Sequence, residues 1–375
     1  MSFSKLFNNY NWDDVKNSIY AKTSKDVERA LNAVHKDIDD FKALISPAAI
    51  PYLEQMAQMS HSLTQKRFGK TIQLYIPLYL SNECQNICTY CGFSYSNNIP
   101  RRTLTGAELL QEIMHIKGLG YDSILLVSGE ANQTVGMNYF KKALEIVRPH
   151  FSHIAIEVQP LEENEYKELN ELSVNAVLVY QETYHKDEYK THHPKGKKSN
   201  FEYRLDTPDR IGNAGMHKIG LGVLIGLEDW RADSFFTALH LNYLEKTYWQ
   251  CKYSLSFPRL RPHAGGLNPK VIMSDAELVQ LICAYRIFNN EVELSLSTRE
   301  SELFRNNLIK LGITTMSAES KTNPGGYTVE KDTLEQFEIN DGRSTAQIAQ
   351  VIKDLGYEPI WKDWDRSFSY PNLSV

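Results

Sequence analysis

Apolar and polar positions in this chain follow a repeating order. Short β-branched or apolar runs fall at Leu74–Leu80, Ser123–Ser128, His153–Gln159, Ala176–Gln181, Lys218–Gly226, Tyr253–Phe257, Glu293–Ser297 and Ile313–Ser317. Between most of them lie amphipathic segments long enough for a helix, so the pattern predicts strands alternating with helices. Two of those helices carry start signals. Thr105-x-x-Glu108 opens one, with Leu109, Ile113 and Ile116 behind it and Gly118 and Gly120 to stop it. Ser274-x-x-Glu277 opens another, followed by Leu278, Leu281 and Ile282. Both fit the capping box, in which paired side chains satisfy orphan amides of the first turn. Ser301 to Leu311 reads as a further helix. Alternating strands and helices imply a parallel sheet, and eight strands predict a (β/α)8 TIM-type barrel. An open doubly wound sheet has the same periodicity and stays open as the alternative.

The flanks read differently. Residues 1–70 have Val15, Ile19, Tyr20, Val27 and Leu31 near helical spacing and few strand signals, which predicts an N-terminal helical extension. The barrel is then expected over 71–324. Residues 325–375 show no further strand–helix rhythm and carry Trp361-Lys362-Asp363-Trp364-Asp365, which predicts an ordered cap over the barrel.

Composition narrows the classes. A hydrophobic content of 42% over 375 residues supports a sizeable core. The longest apolar stretches, such as Ile219 to Leu227, fall far short of the ~20 residues of a membrane span. A net charge of −5 with interspersed signs makes no electrostatic case for nucleic acid or anionic lipid. The basic cluster Lys195, Lys197 and Lys198 reads as a solvated loop. With no leader segment and five cysteines, an odd count, a cytoplasmic protein without disulfides is expected.

Ligands of α/β barrels bind beyond the carboxyl ends of the strands, so chemistry is expected just after the apolar runs. Cys84, Cys88 and Cys91 follow the first run as C-x-x-x-C-x-x-C. Three soft thiolates so close suit an iron–sulfur cluster or zinc. A closed zinc site needs a fourth ligand, and Cys251 and Cys283 stand alone as expected buried hydrophobes, although a distant His could complete one. A cubane cluster on three cysteines keeps one iron open for a ligand. Glu130 follows the second run, Gln159 ends the third, and Gln181, Glu182, Tyr184 and His185 follow the fourth. Arg259 and Arg261 follow the sixth, and Ser297 and Arg299 the seventh. Glu157 points into the barrel if its neighbour points out, and a carboxylate there is costly unless it binds something. His192 and His193 beside Pro194 read chiefly as local structure. Gly220-x-Gly222-x-x-x-Gly226 has the wrong spacing for a dinucleotide loop and suggests close backbone approach to a ligand.

The cysteine triad, with Tyr90 before its third member, resembles the cluster motif of the radical S-adenosylmethionine (SAM) enzymes. Longer blocks resemble one branch, the 2-iminoacetate synthases, tyrosine lyases of thiazole synthesis. These are Ser128-Gly129-Glu130, Ile156 through Leu161, Tyr180 through His185, Arg204 through Arg210, Lys218 through Leu227, Ser256 through Pro262, Leu294 through Glu300, and Trp361 to Asp365. The resemblance implies a [4Fe-4S] cluster on Cys84, Cys88 and Cys91, and SAM chelated to the open iron. It further implies Tyr90 beside the adenine, Glu130 on the methionine ammonium, Glu157 on the ribose with Gln159 nearby, and Arg204 on the methionine carboxylate. On the substrate side it implies L-tyrosine, with Arg299 on its carboxylate, Ser297 assisting, and Gln181, Glu182, Tyr184 and His185 placing the amino and phenol groups or moving a proton. The expected partners are a thiazole synthase complex and a reduced flavodoxin or ferredoxin-type electron donor. The hydrogenase-maturation tyrosine lyases, which add cysteines for a second cluster, are the nearest rival, and no cysteine follows Cys283 here. A non-enzymatic zinc or iron–sulfur scaffold is the rival from another class.

Overall fold

Eight parallel strands close on themselves in the computed structural model, which describes residues 2–264, 266–329 and 335–361. They are β1 (Thr71–Ser81), β2 (Ser123–Ser128), β3 (His153–Glu157), β4 (Ala176–Leu178), β5 (Lys218–Gly222), β6 (Lys252–Ser256), β7 (Glu293–Leu296) and β8 (Thr315–Ser317). Neighbours pair in chain order, and β1 pairs with both β2 and β8, which closes the cylinder. Every predicted run overlaps one of these strands. The barrel is therefore the architecture, and the open sheet is excluded.

Strand parity explains how the core forms. Ile72, Leu74 and Ile76 on β1, Ile124 on β2 and Ile154 on β3 alternate outward and are buried beneath the helices. Side chains of period two leave the intervening positions to line the barrel. The helix start signals hold as well. Thr105 and Ser274 each form a capping box, and the helices run Gly106–Gly118 and Asp275–Phe288. The segment after Ser301 forms a shorter helix, Glu302–Leu308.

The N-terminal residues form helices from Phe3 to Phe68 on the outside of the barrel. Val15, Ile19, Val27 and Leu31 are buried, whereas Tyr20 is half exposed with its hydroxyl donating to Asp229 at 2.7 Å. The first helix is fastened at its start. The Phe3 amide donates to Asp209 Oδ2 at 2.9 Å, and the Phe3 ring stacks on His240 at 3.7 Å.

The C-terminal segment departs from expectation, because the strand–helix rhythm continues. A helix over Thr345–Asp354, with a Ser344 capping box, leads into β9 (Glu358–Ile360), which runs parallel to the start of β1. A three-residue strand containing Pro359 is too short to register as a periodic run. Trp361 packs edge-on against Tyr121 at 5.4 Å, and the remainder of the Trp361–Asp365 block lies outside the described residues. Among the described residues of this segment, Gln336 and Phe337 line the cavity at the barrel mouth.

Candidate active site

The cysteines lie on the long connection after β1, which is wound around one guanidinium. Arg101 donates to the carbonyls of Asn82, Phe93, Ser94 and Asn97 at 2.7–3.2 Å. Tyr90 is fixed by a histidine of defined tautomer. His193 Nδ1 lies 2.7 Å from the Tyr189 carbonyl and must donate, so Nε2 accepts from the Tyr90 hydroxyl at 2.6 Å. Burial holds His193 well below the usual histidine range, hence neutral. His192 meets Thr89 Oγ1 at 2.7 Å. The histidine pair thus holds the loop. Where the loop crosses the end of β2, a Cβ on Gly129 would sit 2.2 Å from the Glu83 carbonyl, so only glycine fits.

Cys84, Cys88 and Cys91 are free thiols facing one cavity at the carboxyl end of the barrel. Burial pushes all three up from the ordinary thiol range. As bare thiolates they would be costly, and bonding to metal is what makes such a site favourable. Three cysteines facing one cavity are a donor set that fits a multi-iron cluster with three thiolate ligands.

Beside the cysteines lies a network of alternating charge. Arg204 Nη1 donates to Glu130 Oε1 at 2.9 Å, its Nε donates to the Tyr180 carbonyl at 2.6 Å, and its Nη2 lies 3.6 Å from Glu182. Lys198 Nζ donates to Glu182 Oε1 at 2.8 Å. Burial disfavours the charge on Glu130, but Arg204, Lys198 and Asn86 outweigh it and hold the carboxyl below its usual range. Asn86, between the first two cysteines, ties the pieces together. Its Nδ2 donates to Glu130 at 2.7 Å, and its Oδ1 accepts from the Lys198 amide at 3.0 Å. Lys198 is no solvated loop lysine, since its side chain is only 11% exposed. Nothing in a loop sequence distinguishes a lysine in water from one turned inward onto a carboxylate.

In the cavity the Glu157 carboxylate and the Arg299 guanidinium form no hydrogen bond or close ion pair among the described residues, although each feels the other's charge. Burial, with Glu182 nearby, pushes Glu157 up to about 7. Arg299 stacks on the Phe337 ring, 3.4 Å from its centroid, and burial lowers its pKa. Asn340 donates to the Arg299 carbonyl at 3.0 Å, and Ser297 lines the same wall. A positioned guanidinium without a carboxylate is a bidentate receptor for one.

Cys84, Cys88, Cys91, Tyr90, Glu130, Glu157, Glu182, Arg204, Ser297 and Arg299 therefore converge on one cavity. Four other expected residues do not. Tyr184 is buried in the core, its hydroxyl 3.0 Å from His240 Nδ1 and its amide donating to Asp233 at 2.7 Å. His185 caps the next helix by accepting from the Glu188 amide and packs on Trp12. Gln181 turns away into the core. Gln159 donates to the Val135 carbonyl at 2.7 Å and borders a neighbouring cavity. Parity is the reason. Inward positions on β4 continue as Leu178, Tyr180 and Glu182, which leaves Gln181 outward and carries the chain away by Tyr184. Tyr180, not expected in the site, lines it. Glu182 adopts φ +70°, a left-handed conformation costing about 1–3 kcal/mol in a non-glycine residue, pinned by the Leu224 amide donating to its carbonyl at 2.9 Å. Arg259 and Arg261 bind Glu300 and serve the framework. The β5 glycines make room for protein rather than ligand, since a Cβ on Gly222 would lie 2.4 Å from the Ser256 carbonyl.

Comparison with known proteins agrees with this geometry. Residues 78–238 match the model of the Radical SAM superfamily, and residues 256–358 that of the Biotin and Thiamin Synthesis associated domain. The crystal structure of HydG, a maturase of the [FeFe]-hydrogenase, superposes with a TM-score of 0.89 at 28% identity, covering 95% of this chain and 81% of that one. HydG from Carboxydothermus hydrogenoformans gives 0.84 at 29%, covering 95% and 82%. The 2-iminoacetate synthase of Salmonella typhimurium is 51% identical over 97% of both chains. With that of Escherichia coli K12 the identity is 53% over 365 residues, again 97% of each chain, and on this evidence the chain belongs to the 2-iminoacetate synthase family.

Proposed function

We propose that this protein cleaves the Cα–Cβ bond of L-tyrosine to 2-iminoacetate and p-cresol, with SAM converted to methionine and 5′-deoxyadenosine, and that the 2-iminoacetate supplies the thiazole moiety of thiamin. The observation that carries the reading is the Arg299 guanidinium, which faces the same cavity as the three cysteines and has no hydrogen-bonded carboxylate among the described residues. Such a group recognises the α-carboxylate of an amino acid, and Ser297 adds a hydroxyl beside it.

Cys84, Cys88 and Cys91 would hold the cluster. When bound, cluster and SAM together supply a 5′-deoxyadenosyl radical able to take a hydrogen from the substrate. The chain's own residues bind, orient and exclude water. Glu130, already ionised against Arg204, receives the methionine ammonium, and Arg204 and Lys198 are cations suited to the methionine carboxylate. This exchange keeps buried charges paired throughout, which avoids a penalty of several kcal/mol for an isolated ion. Tyr90 lies on the adenine side. Glu157, with no hydrogen-bond partner for its carboxylate among the described residues, accepts from the ribose hydroxyls. Glu182 offers a carboxylate to the substrate amino group. Gln336 and Phe337 cover the mouth and shield the cavity from bulk water.

A thiazole synthase complex and a reduced flavodoxin or ferredoxin-type donor are the proposed partners, in the cytoplasm. No helix among the described residues is long and apolar enough to cross a membrane. The test is anaerobic turnover by cluster-loaded protein on L-tyrosine, L-phenylalanine and L-tryptophan in parallel. Production of p-cresol and 5′-deoxyadenosine from tyrosine alone, lost in Cys88→Ala, supports the reading. Efficient cleavage of tryptophan instead would move the chain to another lyase class.

A further inference from the structure

Residues 336–341 cross the barrel mouth as a strap fastened at both ends. At its start the Gln336 amide donates to the Thr322 carbonyl at 3.0 Å, and the Glu338 amide to the Pro262 carbonyl at 3.0 Å. At its end the amides of Asn340 and Asp341 donate to the Thr298 carbonyl at 3.0 and 3.2 Å. The Asp341 carboxylate pairs with Arg305, and both side chains are fully buried. Anchors this close together leave the strap little freedom, so the side chains it carries are held in fixed directions.

The cysteine loop lies directly against this strap. The Gly92 amide, next to Cys91, donates to the Gln336 carbonyl at 3.2 Å. A Cβ on Gly92 would sit 2.7 Å from that oxygen, so the two backbones touch here. This approach delivers the Gln336 side chain to the third cysteine. Its Nε2 donates to Cys91 Sγ at 3.6 Å, while its Oε1 accepts from the Tyr79 hydroxyl at 2.7 Å. A thiolate only accepts, so the amide nitrogen must face the sulfur and the oxygen must face Tyr79. Tyr79 thus pins the donor in place. Covering the mouth needs neither bond, since another side chain of that volume would serve.

We propose that Gln336 is a positioning residue for the cluster, acting through Cys91 by donating a hydrogen bond to the ligand sulfur and so raising the reduction potential. This rests on the cluster assignment within the function given above. An added electron makes the ligand sulfurs more negative, and an N–H dipole aimed at one of them stabilises the reduced form more than the oxidised form. A higher potential makes the cluster easier to load with an electron and a weaker source of it for SAM. The sign of the effect separates this role from cover alone. If Gln336 only excluded water, its loss would admit dipoles that also favour the reduced form, and the potential would rise.

The test is an equilibrium redox titration of the cluster-loaded full-length protein, read from the EPR signal of the reduced cluster. SAM is withheld so that the added electron stays on the cluster. Gln336→Met keeps the volume and removes the donor, and its iron and sulfide content should match wild type. At a fixed applied potential its reduced-to-oxidised ratio should fall at least about threefold, where tenfold corresponds to about 59 mV for one electron. A smaller fall, no change or a rise overturns the proposal. A second measurement stands even if the variant fails to hold a cluster. In wild type labelled with ¹⁵N at glutamine side-chain amides, ENDOR of the reduced cluster should detect a coupled ¹⁵N, which Gln336→Met should lack. Absence of that coupling in wild type overturns the proposal by itself. Failure of the functional reading is separate, since wild type would then make no p-cresol although its cluster titrates, or would hold no cluster to titrate.

Discussion

Replacing Arg299 by Met removes a cation that forms no close ion pair with a carboxylate among the described residues, so its effects on stability and on binding should differ. The guanidinium stacks on Phe337 at 3.4 Å, a contact worth about 0.5–2 kcal/mol. Burial already disfavours its charge, with Tyr79 and Glu157 only partly compensating. Met keeps the stem volume and packs well on an aromatic ring, and relief of the desolvated charge offsets the lost stacking. Folding stability of Arg299→Met should therefore stay within about 2 kcal/mol of wild type, within the ordinary range for single substitutions. Substrate binding should not. Truncating one member of a buried, hydrogen-bonded charge pair costs about 2–5 kcal/mol, which is roughly thirtyfold to several-thousandfold in affinity. The assay is equilibrium binding of L-tyrosine to the cluster- and SAM-loaded enzyme, with thermal unfolding in parallel. Tyramine, which lacks the carboxylate, should bind wild type and variant alike. If the variant holds tyrosine within about threefold of wild type, or loses tyramine equally, Arg299 does not receive the carboxylate.

Other sites give further expectations. Gly129→Ala drives a methyl group into the Glu83 carbonyl 2.2 Å away, so iron and sulfide content after reconstitution should fall sharply and unfolding should come earlier. Asn86→Ala frees Glu130 and the Lys198 backbone together, and SAM affinity measured by equilibrium dialysis should drop at least about tenfold while iron content holds. Glu157 titrates about 7 when folded, above its unfolded value, so the folded state binds more protons than the unfolded one between those values. Its ionisation penalty is absent at low pH, grows as pH rises to about 7 and is then constant. In the cluster-free protein Glu157→Gln should therefore gain stability over wild type across that interval, by about 2–3 kcal/mol at neutral pH, read from urea unfolding at several pH values. Glu112→Gln weakens a buried carboxylate that accepts from the amides of Tyr327, Thr328 and Val329, and should cost about 2–4 kcal/mol of stability with cluster content unchanged.

Strand parity made much of this fold legible, because the helix-facing residues of β1, β2 and β3 alternate without interruption from the first run onward. The same parity explains Glu157, whose inward direction follows from Ile156 facing out. It would also have separated Tyr180 and Glu182 from Gln181, had it been followed past the end of β4. Tyr184 and His185 read as site residues because the block resembling the lyases runs on without a break, although the chain turns there and anchors on Asp233. Lys198 was hidden for a different reason. Its inward turn depends on Asn86 and on Gly196, where a Cβ would lie 2.2 Å from Asn86 Oδ1, and that contact joins segments more than a hundred residues apart. Pairing of β9 with β1 is likewise long-range and leaves no local period.

The most direct test follows two carbon atoms. L-tyrosine labelled with ¹³C at both Cα and Cβ would be turned over anaerobically by the cluster-loaded enzyme with SAM and a reductant, and the products analysed by NMR and mass spectrometry. The account predicts one label in the methyl group of p-cresol and the other in glyoxylate derived from 2-iminoacetate, in equal amounts. Labels that remain joined in a single product, or tyrosine recovered intact while SAM is consumed, would contradict cleavage of the Cα–Cβ bond.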